Sequence, residues 1–280
     1  MSHEKPFLRF GVIADPQYAD LPPNVAMNRY FENSLAKLRE AVGVFNGEDL
    51  SFVVTLGDLV DRGWENYDAV LSVYGDLRHE SFLLPGNHDF LLAPEHLSKV
   101  HARLGMPAAW HDFSRGGFRF VVIDGSEISL FSSPKGDPRH ALAKERLRAL
   151  KAENAVNARE WNGGIGGGQF AWLESTLERA RAAGEKAVVM GHYPLHPENE
   201  HNLWGHERLT DLFARSGNVV AYLNGHNHAG NLGRSGNTWY VNFKGMVDTE
   251  TENAFAVVAI FAGRIEITGY GREESRVLPL

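Results

Sequence analysis

With 280 residues, no cysteine, 43% hydrophobic and 22% charged side chains and a formal net charge of −7, the chain has the make-up of a globular protein able to bury a sizeable core. The missing cysteines exclude disulfides and thiolate metal sites, and the acidic balance argues against a broad nucleic-acid-binding surface, whose affinity comes from Lys and Arg. No apolar stretch nears the ~20 residues of a membrane span and Met1–Pro6 lacks the apolar core of a secretory signal, so the expectation is a cytoplasmic protein with no membrane, nucleic-acid or obligate protein partner.

Phe10-Gly11-Val12-Ile13-Ala14 opens a series of short, β-branched, Gly-bounded apolar runs that read as buried strands. Phe31, Leu35, Leu38, Val42 and Phe45 then recur at helical spacing, followed by a strand at Phe52–Leu56, a helix marked by Tyr67, Val70, Leu71, Tyr74 and Leu77, and a strand at Phe82–Leu84. Phe118–Ile123 predicts another strand and Ala141–Leu150 a charged helix, on which Arg139, Lys144, Arg146, Arg148 and Lys151 read as a solvated face. Phe170, Leu173 and Leu177 mark a helix, Ala187–Met190 a strand, Leu209, Leu212 and Phe213 a helix, and Val219–Leu223 a strand. Thr238–Phe243, Ala254–Phe261 and Arg264–Tyr270 follow one another with no helical pattern between them, the last two joined at Ala262-Gly263 by a hairpin signal.

Alternating strand and helix units followed by a run of strands suggest two packed sheets with helices outside, an α/β/β/α sandwich. No linker or composition shift divides the chain, which is read as a single domain over residues 1–280. The one low-complexity tract, Gly163 to Gly168, does not follow a strand and so lacks dinucleotide-loop character. It reads as a flexible loop before the Phe170 helix, or as a mobile lid whose backbone amides meet a phosphate or sugar.

Five polar clusters directly follow five of the strands: Asp15-Pro16-Gln17, Gly57-Asp58, Gly86-Asn87-His88-Asp89, Gly191-His192 and Gly225-His226-Asn227-His228. Turn chemistry accounts for any one of them. It does not account for all five carrying oxygen or imidazole donors. In an open α/β sheet, ligands bind at the carboxyl ends of the strands, so these scattered residues are expected to converge on one cleft. Carboxylate, amide and imidazole together are the donors that hold manganese, iron or zinc, and bound metals would let an acidic protein accept an anionic substrate.

In order and type the clusters resemble the calcineurin-like metallophosphoesterase superfamily, with Gly57-Asp58-Leu59-Val60-Asp61-Arg62-Gly63 and Gly86-Asn87-His88-Asp89 the most specific strings. The first cluster has Gln17 where most of that superfamily has histidine. Gly11 to Asp20 instead resembles the manganese-dependent ADP-ribose/CDP-alcohol diphosphatase family. So do Trp161-Asn162-Gly163-Gly164, His192 to Pro197, Lys244 to Glu250 and Gly269 to Arg272, which extends the likeness nearly end to end.

The resemblance implies a dinuclear centre in which Asp15, Gln17 and His228 hold one divalent ion and Asn87, His192 and His226 the other, with Asp58 bridging both. Ions roughly 3.5–4 Å apart activate a bridging water as nucleophile and polarise phosphoryl oxygens. The resemblance points to manganese first, with iron, magnesium or zinc as alternatives; an amide oxygen in place of imidazole favours manganese or magnesium over zinc. His88 is implied as the catalytic histidine that protonates the leaving oxygen or stabilises the transferring group, Asp61 orients it, and Asp89 braces the loop. Arg29 and Tyr30 are candidates to grip phosphate or stack on a base, and His196, Asn162 and Gly163 are further candidate substrate contacts. His79, His101, His111, His140 and His201 carry no motif and no assigned role.

The leading function is therefore hydrolysis of a phosphoanhydride in a small nucleoside diphosphate derivative, such as ADP-ribose or a CDP-alcohol. A phosphomonoesterase or phosphodiesterase, acting on cyclic nucleotides or phosphoproteins, is the alternative, because the Gly57–Gly63 string is shared with protein phosphatases. A non-catalytic scaffold is the remote third reading.

Overall fold

A computed structural model describes residues 4–280. The chain runs through β1 (Leu8–Ile13), α1 (Ser34–Gly47), β2 (Phe52–Leu56), α2 (Asn66–Tyr74), β3 (Ser81–Leu84), α3 (Pro94–Leu97), α4 (Val100–Arg103), β4 (His111–Arg115) and β5 (Phe118–Val122). It continues through α5 (Pro138–Ala152), α6 (Gly167–Ala182), β6 (Lys186–Met190), α7 (His206–Ser216), β7 (Val219–Asn224), β8 (Asn231–Ser235), β9 (Thr238–Asn242), β10 (Ala254–Ile260), β11 (Arg264–Gly271) and β12 (Arg276–Pro279). Two six-stranded sheets result, in the orders β12-β11-β10-β1-β2-β3 and β4-β5-β6-β7-β9-β8.

Alternation along the strands decides the layers. In β1 and β2, Phe10, Val12, Phe52, Val54 and Leu56 face Phe120 and Val122 of β5, Val188 and Met190 of β6, and Leu223 of β7, forming the core between the sheets. Phe10 stacks on Phe52 at 4.8 Å, and Phe120 packs edge-on against both. Each buried ring of this size stabilises the fold by roughly 1.5–3 kcal/mol through water exclusion. The opposite faces bury Ile13, Val53 and Leu83 under α1 and α2, and Val121, Val189 and Tyr222 under α6 and α7. This is the α/β/β/α sandwich expected from the sequence.

Three strands were not legible: β4, β8 and β12 lie at sheet edges, where part-exposed polar residues break the apolar run. The last three predicted strands also separate. Thr238–Asn242 pairs parallel with β7 in the second sheet, whereas β10 crosses back and pairs antiparallel with β1 in the first. The crossing segment is pinned beneath the cluster-bearing loops by Met246 N donating to Ala14 O at 2.9 Å and Val247 N to Asp15 O at 3.0 Å. The glycine tract forms the expected loop into α6, with Gly167 and Gly168 already in the helix, and its backbone is tied down rather than open as in a lid. Gly164 and Ile128 exchange backbone hydrogen bonds, and Glu127 Oε2 accepts from Gly166 N at 2.6 Å, closing the start of α6. Among the described residues no helix is long and apolar enough to cross a membrane.

Candidate active site

The connections that leave the carboxyl ends of β1, β2, β3, β6 and β7 meet along one seam of the sandwich. Asp15, Gln17, Asp58, Asp61, Asn87 and His88 come from the first sheet, and His192, His226 and His228 from the second. Asp15, Gln17, Asp58 and His226 have positive φ angles of 49°, 43°, 54° and 69°. Side chains held in that region cost of order 1–3 kcal/mol each where the surroundings enforce it. Here the reversals are enforced by Gln17 N donating to Asp58 O at 2.7 Å and His226 N to Asp15 Oδ2 at 3.0 Å, the second bond crossing the seam. Gly86 has no room for a Cβ, which would press on Asp58 Oδ1 and lie 2.6 Å from His192 Nε2.

Two groups of donor atoms share Asp58. On one side, Gln17 Nε2 lies 2.9 Å from Asp58 Oδ2 and 3.1 Å from His228 Nε2, which is 3.7 Å from Asp15 Oδ1. On the other, His192 Nε2 lies 3.1 Å from Asn87 Oδ1 and 3.4 Å from Asp58 Oδ2, and ligand atoms of Asp58, His192 and His226 fall within 4.8 Å of one another. The remaining ring nitrogens are tied from behind. His192 Nδ1 donates to Leu56 O at 2.8 Å, and His228 Nδ1 to Asp248 Oδ1 at 2.8 Å, so both rings turn Nε2 inward. Asp248 is itself held by Lys37, whose ammonium donates to the backbone oxygens of Met246, Asp248 and Thr249 at 3.0, 2.8 and 2.6 Å. Burial, helped by the charge of Arg272, brings the Lys37 pKa down to about 8.

The cluster demands positive charge. Burial opposes ionisation of Asp58, yet the charges of His192 and His88 outweigh it and hold the carboxyl well below the usual carboxylate range. Burial pushes Asp15 up against the pull of His228. His192 is likewise opposed by burial, but Asp58 lifts it to about 9, while burial and the neighbouring His192 push His226 down. Gln17 Oε1 is buried and finds no hydrogen-bond partner among the described residues, whereas its NH2 points into the lone pairs of Asp58 and His228. An N–H pair there draws the same lone pairs a cation would draw, and turning the amide over presents the orphaned oxygen to the same point. The donor set fits divalent ions with oxygen and imidazole ligands.

His88 N donates to Asp58 Oδ1 at 2.8 Å, and its Nδ1 lies 2.8 Å from Asp61 Oδ1. Burial lowers its basicity, but Asp58 and Asp61 outweigh that and raise the pKa. Asp89 does not face the cleft: it accepts from Leu59 N, Val60 N, Gly86 N and Tyr67 Oη at 3.1, 3.2, 2.9 and 3.0 Å, binding the Asp58 loop to the Asn87 loop.

The chain matches the family model of the calcineurin-like phosphoesterases over residues 8–230. The chain belongs to that family. It is 28% identical to a manganese-dependent ADP-ribose/CDP-alcohol diphosphatase of Arabidopsis thaliana, covering 97% of this chain and 96% of the relative. An enzyme of the same name from Homo sapiens is 26% identical, with 96% and 92% covered. A dimetal phosphatase from Danio rerio superposes with a TM-score of 0.87 at 25% identity, covering 98% of this chain and 99% of that one. The sandwich is therefore the phosphoesterase fold.

In this phosphoesterase a cavity of about 400 Å³ opens over the seam, lined by Gln17, Asn87, His88, Arg29, His226 and His228 among others. Not all of the candidate substrate residues reach it. Arg29 does; Tyr30, beside it, is absent from the lining and makes a backbone bond to Val247 O. Neither opens α1, which begins at Ser34. His196 packs 5.2 Å from Tyr240, behind β9. A Cβ on Gly163 would strike Gly125 O, so that glycine serves close packing. Asn162 is fully buried with its side chain spent on protein partners, out of reach of a substrate. Conversely, the cavity includes residues that sequence reasoning passed over: Asn24, Met27, Trp161 and His201. Trp161 opens the string Trp161-Asn162-Gly163-Gly164, and its 43% exposure on a cavity rim was not readable from that string. The expected solvated face of α5 does make local contacts, Arg139 with Asp137 and Lys151 with Glu160, but Arg146 Nη1 turns inward to Ile165 O at 2.8 Å.

Proposed function

We propose that the chain is a dinuclear-metal hydrolase that cleaves the phosphoanhydride of nucleoside diphosphate derivatives, ADP-ribose and CDP-alcohols being the substrate class, with manganese as the first-choice metal. Asp15, Gln17, Asp58 and His228 would hold one ion and Asp58, Asn87, His192 and His226 the other. The observation that carries the reading is the Gln17 amide between Asp58 and His228, in a chain whose named relatives align over nearly its whole length.

When bound, the two ions supply Lewis-acid charge at the phosphoryl oxygens and make water acidic enough to attack at neutral pH. The chain's own residues do the rest. His88, oriented by Asp61 through its Nδ1 at 2.8 Å, stands at the cleft wall as the group to donate a proton to the oxygen that leaves. Arg29, on the cavity lining, offers a fork of donors to the second phosphate. Trp161 and Met27 give the cavity rim apolar surface suited to a base. Water and the diphosphate yield a nucleoside monophosphate and a phosphorylated second product.

A panel of ADP-ribose, CDP-choline, cyclic AMP and p-nitrophenyl phosphate, each with manganese, tests the proposal through kcat/KM. The two diphosphates should lead. Faster turnover of cyclic AMP or of the monoester would transfer the chain to the phosphodiesterase or phosphomonoesterase reading.

A further inference from the structure

Asn162 sits behind His226, at 0% exposure, in the string Trp161-Asn162-Gly163-Gly164, of which only Trp161 lines the cleft. Its Nδ2 faces two backbone carbonyls, Glu200 O at 2.7 Å and Asn157 O at 3.1 Å. Both only accept, so the amide has one tenable orientation: the reverse would set its oxygen against two carbonyl oxygens in a buried place. Oδ1 therefore faces His226 Nε2, 2.9 Å away. An amide oxygen only accepts as well, so Nε2 must carry the ring hydrogen, and a neutral imidazole has only one. The lone pair is left on Nδ1. This is the reverse of His192 and His228, whose Nδ1 atoms are tied to Leu56 O and Asp248 Oδ1 and whose Nε2 atoms turn inward.

We propose that Asn162 is a positioning residue that locks His226 in its Nε2–H tautomer and aims Nδ1 at the metal shared with Asp58, Asn87 and His192. The inference rests on the reading of His226 as a ligand. It gives the string a physical role: Trp161 stands on the cavity rim, Asn162 turns inward to the ligand, and Gly163 packs closely and accepts from Trp204 N at 2.7 Å, holding the turn in place. The backbone carbonyls of Asn157 and Glu200 thereby set a ring orientation at the seam, passing it through one amide.

The first test needs no variant. Long-range 15N–1H spectra of the full chain should show His226 with Nε2 protonated and Nδ1 unprotonated, and loading with diamagnetic zinc should shift Nδ1. A His226 protonated on Nδ1, or zinc arriving at Nε2, overturns the proposal. The second test is Mn2+ titration followed by calorimetry and electron paramagnetic resonance. Asn162→Ala should lose roughly 10–100-fold in affinity at one of two sites, the scale on which partners of metal-bound histidines act, and should show mixed His226 tautomers. Asn202→Ala is the control, since it removes the bonds of a buried amide to Leu195 O and Pro197 O on the adjoining turn, at 3.2 and 3.3 Å, without touching His226 or Asn162. It should hold both ions as the wild type does. If Asn162→Ala binds both ions normally with an unchanged tautomer, or if both variants weaken binding equally, Asn162 is a packing residue and the metal assignment stands without it. If His226→Ala keeps two tight ions, the ligand assignment itself fails and the proposal falls with it.

Discussion

At the scale of single residues, Asp58 and His88 are neighbours with separable duties. Asp58 reaches both halves of the cluster through one oxygen, Oδ2 lying toward Gln17 and His192, while Oδ1 accepts from the amide of His88. Asp58→Ala should therefore abolish activity together with tight binding of at least one ion, measured by metal analysis after gel filtration; a variant that retains two tight ions rules out the bridge. His88→Ala should retain both ions yet lose roughly 10²–10⁴-fold in kcat, the range of a general acid. Near-full turnover in that variant would make His88 structural. Gln17 is the finer case. Gln17→His keeps a neutral ligand of similar reach but exchanges a hard oxygen for imidazole, so the kcat/KM ratio between an ADP-sugar and a phosphodiester, and between manganese and magnesium, should shift. Unchanged ratios would mean that Gln17 does not tune specificity. The sequence made these residues legible because each follows a strand end directly. Asp248 and His201 stayed hidden, since one reaches the centre through His228 and the other through a cavity wall, and neither relation leaves a spacing to read.

At the scale of elements, the loops after β2 and β3 behave as one body because Asp89 collects three backbone donors from the two loops and a fourth, Tyr67 Oη, from α2. Burial, reinforced by Asp58, raises its pKa to about 7, yet the bonds it accepts are what hold Asp58 under Asn87. Asp89→Ala leaves those buried N–H groups without an acceptor, a loss of about 2–4 kcal/mol at the usual worth of bonds to a carboxyl group. Urea unfolding of the metal-free protein should record it, and a loss below 0.5 kcal/mol, roughly the level of an ordinary surface change, would show that the loops hold each other by packing alone. Legibility varied with burial. Strands such as β2, β7 and β10, buried along their whole length, stand out as apolar runs, while β4 and β8 carry part-exposed polar residues and look like loops. The glycine tract is the expected loop before the Phe170 helix, but its anchoring was not legible, because its backbone polar groups are satisfied by Ile128, Trp204 and Glu127, distant in sequence.

At the scale of the whole molecule, the last strands decide whether the chain is one unit. β10 lies inside the first sheet, paired on one side with β1 and on the other with β11, and its residues Ala256, Val258 and Ile260 belong to the core between the sheets. A chain ending at residue 253 would bare the β1 edge and open that core, so it should accumulate only in aggregates, and the intact chain should unfold in a single calorimetric transition. A soluble, folded truncation would show that the final strands form a separable piece.

The seam carries a last consequence. Every oxygen donor proposed for the ions, on Asp15, Gln17, Asp58 and Asn87, hangs from the first sheet, and every nitrogen donor, on His192, His226 and His228, from the second. Each sheet alone is half a chelator, and neither half is complete until the two are docked. With the ions placed as proposed, hydrolysis would require both sheets to be docked, a partly unraveled chain would be inert toward phosphates, and the bound ions would add their own cross-links between the layers that hold them.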